Sequence, residues 1–380
     1  MKKYIHFTLI SLFILGAFIS CDNDASSGIL SNIINSEEET TYNIKAVAKK
    51  DANTFYSLED DGIYKTTNSD PNVRSLVLNT SEYYNIENIY YNNSNSNSYL
   101  YFICNNESAD KKVLYYFDTN EVDPNPIEIT IDDTLIALSS NGYVLFKNTT
   151  NYFYKKINEI NEPSPITTDS ATNTEISIDE SLASIVPVGD DALIIQTSAY
   201  NSSDEKYIFN YHIVDNSVIS NNVATDQEKK IVSAVLDDSG YFAILSDGDL
   251  IKIDNLNTIS LYYNNESSTY SFNNKCVNMH FLNNYFLALV DSSNNVLLYN
   301  LDNSDEDDGF FVLNEGFANL LNNTSDIVYI SIANYDNSEY KLYVATNSNG
   351  YYTITIDDAN ILDQNNSDNS SYTDYLEEIN

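Results

Sequence analysis

The feature that most constrains how this chain can fold is a pair of short strands that keeps returning along it. A run of apolar residues, an acidic or Gly/Asn turn and a second apolar run that often ends on Asp begin at Thr54 (TFYSLEDDGIYKT), Tyr99, Leu135 (LIALSSNGYVLFKN), Ala192, Tyr241 (YFAILSDGDLIKID), Tyr285 and Lys341. The starts are separated by 45, 36, 57, 49, 44 and 56 residues, so the unit is close to 48 residues long. Aromatic and β-branched runs broken by Asn, Asp and Gly are strand and turn signals. The 32 Tyr and 16 Phe supply the aromatic part in a chain of 380 residues without Trp. No long amphipathic helix pattern competes with them, and residues 42–358 read as all-β.

A period of 40 to 50 residues built only from strands points to a β-propeller, whose four-stranded blades bury their faces against neighbouring blades. Seven strand pairs predict a seven-bladed β-propeller, with a β-sandwich pair or a β-solenoid as alternatives. Each pair is expected to supply the two middle strands of a blade. Stretches before a pair, such as 231–236 and 276–281, would be innermost, and stretches after it, such as 259–263, outermost. The pattern over residues 42–358 resembles β-propeller repeat proteins, although no named repeat fits throughout. Gly248-Asp249-Leu250-Ile251-Lys252-Ile253-Asp254 resembles the core of a quinoprotein-type repeat, and Asp61-Gly62-Ile63-Tyr64-Lys65-Thr66 resembles an Asp-box turn. The polar, acidic segment 359–380 is read as closing the last blade.

The amino terminus carries a different signal. Lys2 and Lys3 precede an apolar run over 7–19, which Asp22, Asn23 and Asp24 end before the roughly 20 apolar residues that a membrane-spanning helix needs. Residues 1–20 therefore read as a signal peptide. Phe18-Ile19-Ser20-Cys21 resembles the lipobox of bacterial lipoproteins in its looser, spirochaete-type form, with Phe18 and Ile19 departing from the commonest residues. The resemblance implies lipidation at Cys21 and attachment to a membrane through that lipid; ordinary secretion, with Cys21 incidental, is the other reading. Residues 21–41, rich in Ser and Asn and carrying Glu37-Glu38-Glu39, read as a flexible tether. The expected location is the extracytoplasmic side of the cell envelope, at the outer membrane or cell surface rather than the inner membrane.

Charge narrows the partners. With 18 Lys and Arg against 56 Asp and Glu the chain stands at -38, and losing Lys2 and Lys3 with the signal peptide leaves 16 against 56, or -40. Nucleic-acid binding requires clustered cations on phosphate, and Arg74 is the one arginine. Anionic headgroups are repelled for the same reason. Besides Cys21 the mature chain keeps Cys104 and Cys276, each in an apolar strand pattern where a thiol acts as a small hydrophobe; a disulfide would require their strands to lie side by side.

Candidate chemistry lies in loops. The acidic stretch 302–309 offers a Ca²⁺ site through Ser304, Glu306, Asp308 and Glu315, which match alternating ligand positions of an EF-hand loop, although Ser replaces the leading Asp and a strand replaces the preceding helix. A solvated acidic loop is the competing reading. No other cofactor is indicated. His212 and His280 sit in apolar strand patterns, and no Gly-x-Ser-x-Gly, His-Glu-x-x-His or Cys-x-x-Cys motif occurs. Glycoside hydrolysis needs only converging carboxylates and is the enzyme class hardest to set aside. In the pairs Tyr83-Tyr84, Tyr90-Tyr91, Tyr262-Tyr263 and Tyr351-Tyr352, one ring is expected in the core and the other on a binding surface, because exposed Tyr is enriched at interfaces. The leading expectation is a non-enzymatic binding or scaffold propeller for a protein or glycan partner. An envelope assembly lipoprotein is the alternative, and a glycosidase-like propeller comes behind both.

Overall fold

The computed structural model describes the chain from Asn43 to Glu377, apart from a few turn residues and the longer segments 158–171, 264–278, 301–309, 313–326 and 358–375. Among the described residues 28 strands form seven consecutive four-stranded antiparallel units. The first holds β1 (Ala46–Asp51), β2 (Thr54–Leu58), β3 (Gly62–Thr67) and β4 (Asp70–Asn79), and the second β5 (Tyr84–Ser94), β6 (Asn97–Asn106), β7 (Lys111–Asp118) and β8 (Ile127–Ile129). The third comprises β9 (Thr134–Leu138), β10 (Tyr143–Lys147), β11 (Asn151–Lys156) and β12 (Thr172–Ser177). The fourth runs through β13 (Ser181–Val188), β14 (Ala192–Asn201), β15 (Lys206–Asp215) and β16 (Val218–Gln227), and the fifth through β17 (Ile231–Asp237), β18 (Gly240–Leu245), β19 (Leu250–Asp254) and β20 (Ile259–Tyr263). The sixth consists of β21 (His280–Asn283), β22 (Phe286–Val290), β23 (Val296–Asn300) and β24 (Phe310–Val312), and the seventh of β25 (Ile327–Asp336), β26 (Glu339–Thr346), β27 (Gly350–Asp357) and β28 (Leu376–Glu377).

First strands lie against first strands: β1 against β5, β5 against β9, β13 against β17, β21 against β25, and β25 back against β1. That return makes the arrangement a closed ring of seven blades, a seven-bladed β-propeller. A single parallel bridge, Val188 to Ala234, joins the fourth and fifth blades into one extended sheet.

The middle strands show why the sequence alternates so little there. Successive residues of a strand point to opposite faces, and here each face meets a different blade. On β14, Leu193 and Ile195 pack against Tyr143, Leu145 and Tyr154 of the third blade. Their neighbours Ala192 and Ile194 pack with Ile231, Ala243 and Ile253 of the fifth. On β6, Tyr101 and Ile103 face the third blade, whereas Leu100, Phe102 and Cys104 face the first. A strand covered on both sides reads as a continuous apolar run, and all six residues of β18 are buried. Tyrosine does the filling that Trp would otherwise do: Tyr56, Tyr143, Tyr154 and Tyr211 are fully buried, and Tyr56 stacks on Tyr91 at 5.4 Å across the junction of the first two blades.

The Asn and Asp content is explained by the bends. Asp51, Asn79, Asp118 and Asn201 each accept, through a side-chain oxygen, the backbone N–H two residues on, at 2.8–2.9 Å. This is the Asx turn for which short polar side chains are suited. Gly240 is required by contact as well as by conformation: it has φ of 145°, and any Cβ there would collide with the Ile253 carbonyl.

One expectation about the repeat is corrected. The pair at Leu135 is β9 with β10, the first and second strands of its blade, and the middle strands are β10 and β11. Ser139-Ser140-Asn141-Gly142 is the strongest turn signal in that stretch, but it lies between the innermost strand and its neighbour. Counted from the second strand of each blade (Thr54, Asn97, Tyr143, Ala192, Gly240, Phe286 and Glu339), the spacings become 43, 46, 49, 48, 46 and 53 residues. The unit is more regular than the sequence suggested.

Candidate functional site

The blades enclose a cavity of about 530 Å³ to which all seven contribute. Its walls come from the first strands, and its rim includes the turns that follow them in the third and fourth blades. Lys49 on β1 donates to Ser331 Oγ on β25 at 3.1 Å, tying the first blade to the seventh inside the cavity. Water reaches Lys49, but the surrounding walls strip enough hydration to lower its pKa, against the opposing pull of Asp190 and Asp51.

The rim is built around the β13–β14 turn, Gly189-Asp190-Asp191. Asn141 donates from Nδ2 to the carbonyls of Gly189 at 3.1 Å and Ala192 at 2.7 Å, while its own Oδ1 accepts from Ser139 Oγ at 2.7 Å. The Tyr143 hydroxyl donates to the Asp191 carbonyl at 2.5 Å. Lys156, buried and lying over the Tyr143 ring, donates to the Asp190 carbonyl and pairs with the Asp191 carboxylate. Three side chains of one blade thus fix a single turn of the next, with Ser139 holding Asn141 in place. The Asp190 carboxylate itself accepts no hydrogen bond and joins no ion pair among the described residues. Its field still reaches three other blades, opposing the depression at Lys49 and raising the phenols Tyr90 and Tyr329. Burial is the main cause of the shift at both phenols, which stand at about 12 and stay neutral donors.

At the far end of β14 the opposite face of the ring carries a projecting hairpin. Ala192 to Thr197 are buried, whereas the rungs Tyr200–Tyr207 and Asn201–Lys206 stand clear of the blade. Tyr200 and Tyr207 pair edge to face at 5.4 Å and are 56% and 60% exposed. Asp204, Glu205 and a Lys206–Glu228 pair surround them.

Several residues singled out from the sequence take structural places. His212 is buried and shares a hydrogen bond with Thr197 Oγ1 at 3.2 Å. Cys104 is a free, buried thiol with its pKa pushed up to about 11 by desolvation. Among the tyrosine pairs, Tyr83 packs on Phe102 and Tyr115 while Tyr84 is exposed. In Tyr90-Tyr91, Tyr91 is core and Tyr90 faces the channel and the third blade. Cys21, Cys276 and the four calcium candidates Ser304, Glu306, Asp308 and Glu315 lie outside the described residues. Within those residues no group of three His, Cys, Asp or Glu side chains is placed to hold a metal. Among the described residues the carboxylates displaced from their ordinary range, Asp60 and Glu228, are pulled down by hydrogen bonds from Lys45 and Lys206.

The channel residues escaped sequence reasoning because six of the seven blades contribute only one to three of them each. Gly189-Asp190-Asp191 is indistinguishable in type from other Asp/Gly turns. Its position after an innermost strand was the usable signal.

No protein-family model and no curated protein matches the chain. Among solved structures it is similar to the Dos1 propeller, with a TM-score of 0.50 and 12% identity over 83% of this chain and 77% of that one. It is also similar to Sqt1 of Saccharomyces cerevisiae, with a TM-score of 0.47 and 10% identity over 84% and 97% of the two chains. KlAtg21, solved in complex with the coiled coil of AgAtg16, aligns with a TM-score of 0.48 and 12% identity over 82% and 94%. The likeness to the Dos1 propeller agrees with the ring described above and extends to the fold alone.

Proposed function

We propose that this chain is a lipid-anchored, non-enzymatic scaffold of the bacterial cell envelope whose propeller binds a protein partner through the face bearing the β14–β15 hairpin. The observation that carries the reading is the Tyr200–Tyr207 pair, two large rings held apart from the core on an ordered hairpin. Exposed aromatic anchors of this kind dominate interface energetics, and the carboxylates around them favour a partner with cationic side chains. Attachment through lipid on Cys21 is supported by the lipobox-like residues 18–21, and the charge of -40 leaves the lipid as the evident means of holding the domain at a membrane. A glycan partner is the second reading, supported by the same exposed rings.

Two measurements test the proposal. Detergent phase partitioning should move the protein from the detergent to the aqueous phase on Cys21→Ala; a mutant that stays with detergent refutes the anchor. A photo-cross-linking residue at position 200 in intact cells should give a discrete protein adduct that the same residue at Leu261, on an outermost strand, does not give. Adducts at position 261 but not at 200 refute the hairpin face. Protease shaving of whole cells separates surface display from an internal assembly role, since cleavage requires exposure to the outside.

A further inference from the structure

The channel and the hairpin lie at opposite ends of β14, and the channel has a chemistry of its own. Its charges are matched. Lys156 pairs with Asp191, and Lys49 donates to Ser331 Oγ at 3.1 Å within the fields of both Asp190 and Asp51. An anion or a cation entering the channel would meet both signs of charge and find no counterpart left over for it. Hydrogen-bonding capacity, by contrast, is left over on three walls. The Asp190 carboxylate, on the β13–β14 turn of the fourth blade, accepts no hydrogen bond among the described residues. The Tyr90 hydroxyl, on β5 of the second blade, is kept protonated by burial and has no partner among them either. Ser233, on β17 of the fifth blade, borders the cavity and is 4% exposed, yet its hydroxyl too has no partner among the described residues. A side chain set so deeply in the wall with its hydroxyl unpaired points to a polar occupant. The Tyr90 and Tyr329 rings add apolar faces beside these polar groups. A volume of about 530 Å³ lies within the range of small-molecule pockets.

From this geometry we infer that the central channel is a binding site for a small neutral polyol, a monosaccharide or sugar alcohol. Its hydroxyls donate to the Asp190 carboxylate and exchange hydrogen bonds with Tyr90 and Ser233. Neighbouring hydroxyls of a polyol suit the two oxygens of one carboxylate, and its C–H edges suit the tyrosine rings. An apolar ligand would strip water from the same three groups without pairing them, which is costly. A neutral ligand also requires no charge beyond those already matched. The inference does not depend on the hairpin face or on the lipid, and it fails or stands separately from them.

The test is calorimetric titration of the full-length protein, in a detergent without a sugar headgroup, with a panel of neutral hexoses, pentoses and sugar alcohols run beside free amino acids. At least one polyol is expected to bind with Kd below about 1 mM, a modest affinity for a small ligand. That affinity should be insensitive to salt, because screening acts on charges. Asp190→Asn should weaken binding about tenfold, the difference between a charge-assisted and a neutral acceptor. Ser233→Ala and Tyr90→Phe should each weaken it about three- to tenfold, the effect of losing one hydrogen bond. For each variant, one deoxy analogue of the bound polyol should bind variant and parent equally, because the missing hydroxyl and the missing side-chain group are partners. A merely structural change would weaken every analogue alike. Asp190 is exposed on its turn and Tyr90→Phe keeps the ring, so these two carry the test even if Ser233→Ala disturbs its buried strand. The inference is overturned if no polyol binds at up to about 10 mM, if only amino acids bind, or if binding survives both Asp190→Asn and Tyr90→Phe unchanged.

Discussion

Gln196 offers the sharpest test of how the blades are joined. The fourth and fifth blades meet through one parallel bridge at Val188 and Ala234, and the backbone of Ile231, three residues before that bridge, has to be satisfied another way. Gln196, fully buried on β14, does so: its Nε2 donates to the Ile231 carbonyl at 2.7 Å and its Oε1 accepts the Ile231 N–H at 2.6 Å. A side-chain amide thereby stands in for a neighbouring strand. Gln196→Leu keeps the bulk and removes both bonds to Ile231, along with the one Nε2 donates to Ser184 Oγ at 2.7 Å, leaving a donor and an acceptor on a residue that is 1% exposed. Each orphaned group costs about 1–3 kcal/mol, or about 2–6 kcal/mol together. For a domain of roughly 300 residues with a melting entropy of about 2.1 cal/mol/K per residue, that lowers Tm by about 3–10 °C. Urea unfolding followed by circular dichroism or tyrosine emission measures it, the latter free of interference in a chain without Trp. Gln196→Glu sharpens the test. Burial and the facing Ile231 carbonyl would raise that carboxyl's pKa above its ordinary value of about 4.3. Stability is then fully present below the unfolded-state pKa, where the protonated acid can donate, and is lost as pH rises through the folded-state pKa. A Gln196→Leu cost under about 1 kcal/mol, or a Gln196→Glu deficit that is the same at acid and neutral pH, would refute the reasoning.

Other outcomes follow from the same packing. Cys104, with its pKa near 11, should resist alkylation at neutral pH in the native protein and react only once denaturant opens the second blade. Tyr64, Tyr90, Tyr101 and Tyr329 are held neutral to about 12; phenols with raised folded-state pKa values support the fold below about pH 10, and that support drains away between about pH 10 and 12. Phenolate absorbance should therefore rise together with loss of the circular dichroism signal, and separate transitions would contradict this. Gly142, with φ of 87°, has no room for a Cβ beside the Tyr90 ring. Gly142→Ala should cost more than the roughly 1–2 kcal/mol of left-handed strain alone, and pairing it with Tyr90→Ala should recover the excess in a double-mutant cycle.

The fold was largely legible because the middle strands carry their signal in composition: β18 is apolar on both faces, β19 holds Leu250, Ile251 and Ile253 in the core, and β17 and β20 flank them as innermost and outermost strands in the order expected. The third blade misled because β11, Asn151-Tyr152-Phe153-Tyr154-Lys155-Lys156, follows a weak Asn-Thr turn, while the stronger Ser-Asn-Gly turn before β10 drew the pairing one strand inward. The channel was illegible for a different reason. Lys49, Asn141, Asp190 and Ser331 are ordinary surface-type residues in sequence, and only ring closure brings positions 282 residues apart, Lys49 and Ser331, to hydrogen-bond distance. The hairpin rings Tyr200 and Tyr207 were hidden among many tyrosines; what distinguishes them is that β14 and β15 outlast the blade that supports them.

The way the ring closes has an evolutionary consequence. Among the described residues each blade is made from consecutive strands of the chain, and no strand crosses the junction of the last blade with the first. That junction is held by Phe55 among Tyr329, Tyr343 and Tyr351, by Ile44 N–H donating to the Asn347 carbonyl at 3.0 Å, and by Lys49 on Ser331. Duplication or loss of a single contiguous segment of the gene therefore inserts or removes a whole blade without reassigning any strand. Blade number in such a lineage is free to change in unit steps, wherever the new neighbours can repack their facing tyrosines.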